Sequence, residues 1–114
     1  MRLGLIGTGR IGRLHARTLQ RVAEVTEVLV ADAAPERARE LAAELGLSAV
    51  DQVADLYRDG VDGVVIAAAT SAHAPLIHQA LDAEVPVFCE KPVALDVAGT
   101  REVVDRAAAG KVPL

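Results

Sequence analysis

The feature that most constrains the fold is a glycine-rich turn, G-T-G-R-I-G, at residues 7–12. It follows a short apolar run, Leu3 to Ile6, and opens directly into a segment with helical periodicity. In this context Gly7 allows a sharp turn, Gly9 lets a phosphate approach the backbone, and Gly12 lets helix and strand pack closely. The free N–H groups of the helix N-terminus then face an anion. The turn therefore predicts a pyrophosphate site for a dinucleotide, flanked by Arg10 and Ile11.

A carboxylate at the end of the second apolar run supports this interpretation. Asp32 follows Val28–Ala31 and lies about 20 residues after Gly12, where such folds place the acid that binds the adenosine ribose. A carboxylate accepts hydrogen bonds from the ribose hydroxyls of NAD and repels the 2′-phosphate of NADP. NAD is therefore favoured, and Arg37 is the residue that could instead accommodate NADP. Asp32 also argues against a CoA-binding domain.

Strands and helices alternate along the whole chain, which predicts an α/β fold of the Rossmann type with a doubly wound parallel sheet. The apolar segment within 61–68 is the most hydrophobic and is predicted to be the central strand. Residues 112–114 read as the start of a truncated sixth strand. The predicted strands are Arg2–Gly7, Glu27–Ala31, Ser48–Val50, one within Val61–Ala68, and Pro86–Cys89; the predicted helices begin near Ile11, Pro35, Val53, Ala72 and Asp96.

Three details of the helices are also predicted. The first helix carries apolar residues at helical spacing, which predicts a buried face that includes His15 as a core or second-layer histidine; its members are Ile11, Leu14, His15, Thr18, Leu19 and Val22. Ser71 is the predicted N-cap of the helix that contains Pro75. Gly46 is the predicted terminating glycine of the second helix.

Chemically useful side chains follow two further strands. Thr70 and His73 come after the fourth predicted strand, and Glu90 and Lys91 come after the fifth. In this fold the ligand crevice lies at the carboxyl ends of the strands, so these residues are expected to join the glycine turn there. An ammonium such as Lys91 can bind a substrate hydroxyl and stabilise the oxyanion that develops as hydride leaves.

Composition excludes several classes of function. The 114 residues suffice for one domain, and a net charge of -4 gives no electrostatic footprint for nucleic acid or an anionic membrane. The chain shows no apolar run of membrane-spanning length and no room for a signal peptide before the first strand. The single cysteine, Cys89, fits a reducing cytoplasm and is expected to be inert. No spacing of ligands predicts a metal site.

The combined motifs resemble the glucose–fructose oxidoreductase and inositol dehydrogenase family. The resemblance covers the chain and rests on G-x-G-R-I-G-x-x-H-A at 7–16, A-D at 31–32, T-x-x-H at 70–73 and E-K-P at 90–92, most like bacterial inositol 2-dehydrogenases. It implies that Lys91 is the catalytic lysine, that Glu90, Thr70 and His73 line the nicotinamide side, and that the Lys91-Pro92 bond is cis. It further implies an NAD-dependent dehydrogenase for a polyol, inositol or sugar hydroxyl.

The family's second α/β domain, which carries the substrate pocket and much of the oligomer interface, has no counterpart in these residues. The interpretation adopted is that residues 1–114 are the NAD(P)-binding Rossmann domain of a longer enzyme. The isolated domain is expected to bind cofactor without turnover, and to oligomerise only as part of the full-length enzyme. The alternative is a non-catalytic Rossmann module that senses redox state or nucleotides; such a sensor has no need for Lys91.

Overall fold

Five short parallel strands form one sheet in the computed structural model, which describes all residues from Met1 to Leu114. The strand order is β3-β2-β1-β4-β5, the arrangement of a doubly wound Rossmann-type sheet, as predicted. The topological switch point lies between β1 and β4, because the chain continues from β1 to the strand on one side and from β4 to the strand on the other side. The strands are β1 (Arg2–Ile6), β2 (Glu27–Ala31), β3 (Ser48–Ala49), β4 (Gly63–Ile66) and β5 (Val87–Cys89).

Five helices cover the two faces of this sheet, each at the place in the chain order where a helix is predicted. They are α1 (Arg10–Leu19), α2 (Pro35–Leu45), α3 (Val53–Arg58), α4 (Thr70–Asp82) and α5 (Val97–Ala109). One face packs residues of α3, α4 and α5, such as Leu56, Ile77 and Val103, against alternate strand residues. The other face packs Ala16 of α1 and Leu41 of α2 against Leu5 and its neighbours.

The predicted buried face of α1 is wrong. Its buried residues are Gly12 and Ala16, whereas Ile11 is 43% exposed and Leu14 is 59% exposed. Small residues allow the helix backbone to approach the strands closely, and an apolar periodicity count gives them little weight. His15, predicted to be a core or second-layer histidine, is half-buried at the edge of the sheet and not in the core, and its ring packs edge-on against Phe88 with centroids 5.8 Å apart.

The middle and the edge of the sheet also differ from the prediction. β1, and not β4, is the central strand, although all four residues of β4 are buried. Residues 112–114 do not form a sixth strand. They lie along the outer edge of β5, where the Val87 amide donates to the Pro113 carbonyl at 2.9 Å. Because proline has no N–H, Pro113 cannot return a ladder hydrogen bond.

Most helix ends follow their local signals. Gly46 terminates α2 in the left-handed conformation with φ +69°, as predicted. Asp96 caps α5 by accepting a hydrogen bond from the Gly99 amide at 2.7 Å. Ser71 is not the N-cap of α4, because the helix begins at Thr70, two residues before the predicted start at Ala72, and Ala69 occupies the cap position without a side-chain hydrogen bond.

None of the helices combines the length and the apolar character that crossing a bilayer requires.

Candidate dinucleotide-binding site

A cleft of about 520 Å³ opens at the carboxyl ends of β1 and β4, beside the switch point of the sheet. Its floor is the glycine-rich turn, and its walls come from the segments that follow β2 and β4. Topology thus brings together segments that lie far apart in sequence. The lining residues are Ile6, Gly7, Thr8, Gly9, Arg10, Ile11, Asp32, Ala33, Arg37, Val53, Ala67, Ala68, Ala69, Ala72 and Leu76.

The three glycines of the turn are needed for different reasons. Gly7 has φ +105°, and a Cβ there would lie 2.5 Å from the Ala67 carbonyl oxygen. A Cβ on Gly12 would lie 2.0 Å from the carbonyl oxygen of Gly7, so this glycine permits the packing of α1 on the turn. A Cβ on Gly9 would meet no protein atom within 4 Å. The protein itself therefore needs Gly7 and Gly12, and the open space at Gly9 fits the close approach of a ligand.

The N-terminus of α1 offers unsatisfied backbone donors to the same cleft. The first helical hydrogen bond joins the Arg13 amide to the Gly9 carbonyl at 2.9 Å, so the preceding amides have no intrahelical partner. No side chain caps this end, and no acidic residue lies in the first turn. The positive end of the helix dipole is left uncompensated, which favours an anion.

Asp32 is held in place by three hydrogen bonds. Its Oδ2 accepts from the Thr8 amide at 2.9 Å and from the Thr8 hydroxyl at 2.7 Å, and its Oδ1 accepts from the Ala34 amide at 2.9 Å. Burial raises the pKa of Asp32, but the hydrogen bonds from Ala34 and Thr8, together with the charge of Arg37, outweigh it. The pKa therefore lies below its ordinary value of 3.8, and the carboxylate is charged at neutral pH.

Basic side chains without an acidic partner are concentrated around the cleft. Arg10 and Arg37 line it, and Lys91 follows β5 at the same edge of the sheet. Elsewhere most basic side chains are paired, as Arg13 is with Glu44 and Arg2 with Glu27. Of the 12 Lys and Arg side chains, those that form no ion pair are Arg10, Arg21, Arg37, Lys91 and Arg101.

The turn that carries Lys91 is anchored by two histidines from different helices. His15 of α1 contacts Glu90, with Nε2 and Oε1 2.6 Å apart, and this hydrogen bond holds the pKa of Glu90 below its ordinary value. His73 of α4 contacts the Pro92 carbonyl oxygen through Nδ1 at 2.6 Å. The Glu90 amide also donates to the Ile66 carbonyl at 2.9 Å. Lys91 itself is exposed, and the Lys91-Pro92 bond is cis, as the resemblance implies.

The structure brings together only some of the predicted site residues. Gly7, Gly9, Arg10, Ile11 and Asp32 line the cleft, whereas Gly12 lies behind the turn. The side chain of His73 is 2% exposed, and its second ring nitrogen, Nε2, lies 2.9 Å from the Ala68 carbonyl oxygen. Both ring nitrogens therefore face backbone carbonyls, which leaves neither free for a ligand.

Three further predicted residues lie outside the cleft lining. Thr70 is the first residue of α4, half-buried beside Ala69, and Glu90 and Lys91 belong to the turn after β5. Sequence reasoning also missed some lining residues. The hydroxyl of Thr8 inside the glycine turn was a visible signal, whereas Val53 and Leu76 reach the cleft only through the packing of α3 and α4 and have no signature of their own.

The next question is whether side chains that bind metals lie together in the structure. No three His, Cys, Asp or Glu side chains are grouped so that they could hold a metal ion. Cys89 is partly buried, and burial together with the charge of Glu90 raises its pKa to about 11.

These features fit a dinucleotide. Free amides at the start of α1, the open space at Gly9 and the unpaired Arg10 suit its phosphates. A fixed and charged Asp32, hydrogen-bonded to the glycine turn through Thr8, suits a ribose hydroxyl.

Comparison with known proteins agrees with this geometry. Residues 1–114 match the family described as "Oxidoreductase family, NAD-binding Rossmann fold". The inositol 2-dehydrogenase of Rhizobium meliloti (strain 1021) is 39% identical over 106 residues, which are 89% of this chain and 31% of that protein.

Solved structures give the same assignment. The myo-inositol dehydrogenase of Lactobacillus casei, in complex with NAD(H) and myo-inositol, superposes with a TM-score of 0.90 at 30% identity, over 100% of this chain and 35% of that one. The UDP-N-acetylglucosamine 3-dehydrogenase of Acidithiobacillus ferrooxidans has a TM-score of 0.83 at 36% identity, over 96% and 34% of the two chains. The chain thus spans about a third of the length of the relatives it matches. Strand order, glycine turn and family match together establish that it belongs to the glucose–fructose oxidoreductase and inositol dehydrogenase family, as an NAD-binding Rossmann domain.

Proposed function

We propose that this chain binds NAD in preference to NADP and serves, in a whole enzyme, the transfer of hydride from a polyol, inositol or sugar hydroxyl. The observation that carries the proposal is the charged Asp32 carboxylate, fixed by Thr8 and Ala34 at one end of a cleft whose floor is the uncapped start of α1. Such a carboxylate attracts ribose hydroxyls and repels a 2′-phosphate.

The cleft residues divide between the two ends of the cofactor. Gly7, Gly9, Arg10, Ile11 and Gly12 would form the phosphate site, and Asp32 would bind the adenosine ribose. Arg37 lies close enough to Asp32 to lower its pKa, and the negative charge of that carboxylate weakens the attraction of Arg37 for a 2′-phosphate. This is why we propose NAD rather than NADP, although Arg37 lines the same cleft.

Thr70, Glu90 and Lys91 are proposed to surround the nicotinamide end. His73 is proposed to act there as a positioning residue, because both its ring nitrogens already face carbonyls, one of them that of Pro92. His15 of α1 is proposed to position Glu90 in the same way, through its contact with the Glu90 carboxylate.

Lys91 is the proposed catalytic residue. The nicotinamide, when bound, supplies the hydride acceptor. The Lys91 ammonium can donate a hydrogen bond to the substrate hydroxyl and stabilise the negative charge that develops on its oxygen as hydride leaves the carbon. Lys91 is suited to this role because it is exposed and forms no ion pair, while its neighbours Glu90 and Pro92 are anchored to α1 and α4.

The substrate class follows from the relatives. Those named above are dehydrogenases of inositol and of a nucleotide sugar, and both substrates carry secondary hydroxyls. We propose that residues 1–114 form one nucleotide-binding domain that acts in the cytoplasm. Without a wall to hold the substrate against the nicotinamide, this domain alone would bind cofactor without turnover, and a homo-oligomer would require the rest of the enzyme.

The test is a calorimetric titration of the 114-residue chain with NADH and with NADPH. We expect selective binding of NADH, and we expect Asp32→Ala to weaken it by about 1.5–3 kcal/mol through the loss of charge-assisted hydrogen bonds. Asp105→Ala is the matched control, since it removes an exposed carboxylate that does not line the cleft. A preference for NADPH would overturn the cofactor assignment. A folded chain that binds neither dinucleotide would overturn the proposed function.

A further inference from the structure

Thr8 is a buried polar residue inside the glycine turn that helps to fix Asp32, and the proposed function gives its hydroxyl no part in the choice between NAD and NADP. It is 3% exposed, although its hydroxyl lies in a turn that faces the cleft. A hydroxyl can be buried at low cost only when it is hydrogen-bonded. Here it donates to Asp32 Oδ2 at 2.7 Å, so the only polar group of the side chain is bound to the carboxylate.

The acceptor sites of Asp32 show what this contact does. An ionised carboxylate offers about four lone-pair sites. The hydroxyl and the amide of Thr8 occupy both sites of Oδ2, and the Ala34 amide occupies one site of Oδ1. The remaining acceptor site is on Oδ1. The carboxylate is therefore prevented from rotating and has one oxygen left for an incoming donor.

A fixed carboxylate discriminates better than a mobile one. Oδ1 can accept a ribose hydroxyl without any loss of side-chain freedom on binding, because Thr8 and Ala34 have already fixed the group. The same carboxylate cannot swing away from a 2′-phosphate to relieve the repulsion between like charges. A hydrogen bond to an ionised group is also stronger than a neutral one.

We infer that Thr8 is the positioning residue for Asp32 and a determinant of cofactor choice: its hydroxyl fixes the orientation of the carboxylate and presents Oδ1 to the adenosine ribose of NAD. This inference rests on the proposed function. It extends the specificity site beyond the acid itself to the second residue of the glycine turn.

The test uses Thr8→Val, which replaces the hydroxyl by a methyl group of similar size and leaves the backbone N–H in place. Thr8→Ser, which keeps the hydroxyl, is the matched control. The first readout needs no cofactor: the Asp32 carboxyl carbon is titrated by ¹³C NMR in the free chain. We expect the Asp32 pKa to rise in Thr8→Val and to stay near the wild-type value in Thr8→Ser.

The second readout is the Kd for NADH and for NADPH. In Thr8→Val we expect NADH binding to weaken about tenfold and NADPH binding to change less than about twofold, so that the preference narrows about tenfold. The Kd values of Thr8→Ser for NADH and for NADPH should both stay within about twofold of wild type. A structural role alone would weaken both dinucleotides together.

The outcomes separate the inference from the function on which it rests. If wild type binds NADH selectively and Thr8→Val binds it equally well or better, the inference is overturned and the proposed function stands. An unchanged Asp32 titration in Thr8→Val also overturns the inference. If folded wild type binds neither dinucleotide, both are overturned.

Discussion

At the scale of single residues, one buried side-chain polar atom has no hydrogen-bond partner. The hydroxyl oxygen of Tyr57, in α3, is buried without a hydrogen bond, and burial raises the pKa of Tyr57 to about 12. A buried hydroxyl that has lost its hydrogen bonds to water costs about 1–3 kcal/mol. This oxygen therefore lowers the stability of the folded chain.

Removing this hydroxyl should not destabilise the protein. We expect Tyr57→Phe to leave the free energy of unfolding unchanged or to raise it by about 1 kcal/mol, because the ring and its packing are kept. Urea denaturation followed by circular dichroism measures this. Leu56→Ala, at the fully buried neighbouring position, is the contrast and should cost about 2–5 kcal/mol. A clear loss of stability in Tyr57→Phe would mean that the hydroxyl has a partner.

The lowered pKa of Asp32 gives a second prediction at this scale. A carboxyl whose pKa is lower in the folded chain stabilises the fold above its unfolded value of 3.8, and the stabilisation is lost as pH falls through the lower folded value. The stability difference between wild type and Asp32→Asn should therefore be larger at pH 7 than at the acid end. Urea midpoints of both proteins measured from neutral pH down to pH about 3 decide this; a constant difference would contradict it.

At the scale of secondary-structure elements, the turn between β1 and α1 separates folding from binding. Gly12 is needed for α1 to pack on the turn, whereas Gly9 has free space and an extended backbone, φ -69° and ψ -168°, that alanine can adopt. The same motif thus contains one glycine required by the fold and one required, under the proposed function, by the ligand.

Two alanine substitutions exploit this difference. Gly9→Ala should keep or slightly raise stability, by about 0.4–1 kcal/mol, while NADH binding weakens because the Cβ occupies the phosphate space. Gly12→Ala should destabilise the chain by about 3 kcal/mol, because its Cβ would collide with the Gly7 carbonyl. Urea denaturation and NADH titration of both variants measure the two effects. Equal losses of stability would show that Gly9 is also structural.

The secondary-structure elements and the turns between them also show where sequence reasoning succeeds. The order of all ten elements, the glycine turn, Asp32 at the end of β2 and the left-handed Gly46 could be predicted, because each depends on a local backbone requirement or a short-range spacing. The buried face of α1 could not. Close packing there is made by Gly12 and Ala16, which contribute little to an apolar periodicity, while the larger Leu14 remains exposed.

Contacts between distant segments limited the prediction of the site. That Thr8 binds Asp32 depends on the pairing of β1 with β2, and that His15 and His73 hold the turn around Lys91 depends on how α1 and α4 pack on the sheet. The spacing of residues along the chain does not predict such pairs. The nicotinamide-side roles of Thr70, Glu90 and Lys91 remain predictions.

At the scale of the whole molecule, the two faces of the sheet are covered unequally. Three helices cover one face and two cover the other. Phe88 pairs with Val65, whose side chain belongs to the two-helix face, and Phe88 is 56% exposed there although the His15 ring of α1 packs against it. Cys89, the next residue, alternates to the better covered face.

The single thiol can therefore report on opening of the whole fold. Because burial and Glu90 raise the pKa of Cys89 from 9.0 to about 11, the thiolate fraction at pH 8 is roughly a hundredfold lower in the folded chain than in the unfolded one. We expect iodoacetamide to label the native chain at least about a hundredfold more slowly than the chain in urea. Mass spectrometry of timed samples gives both rates. Similar rates would mean that β5 opens readily without global unfolding.

The unpaired basic side chains around the cleft have a consequence for the kinetics of binding. The chain as a whole carries a charge of -4, so at long range it repels an anionic dinucleotide, whereas Arg10 and Arg37 attract it once it is near. Dissolved salt screens both fields over about 8 Å at physiological ionic strength. Opposed contributions of this kind make the association rate only weakly dependent on ionic strength. The local cations then act mainly on the direction of approach, turning the phosphates of the arriving molecule toward the glycine turn.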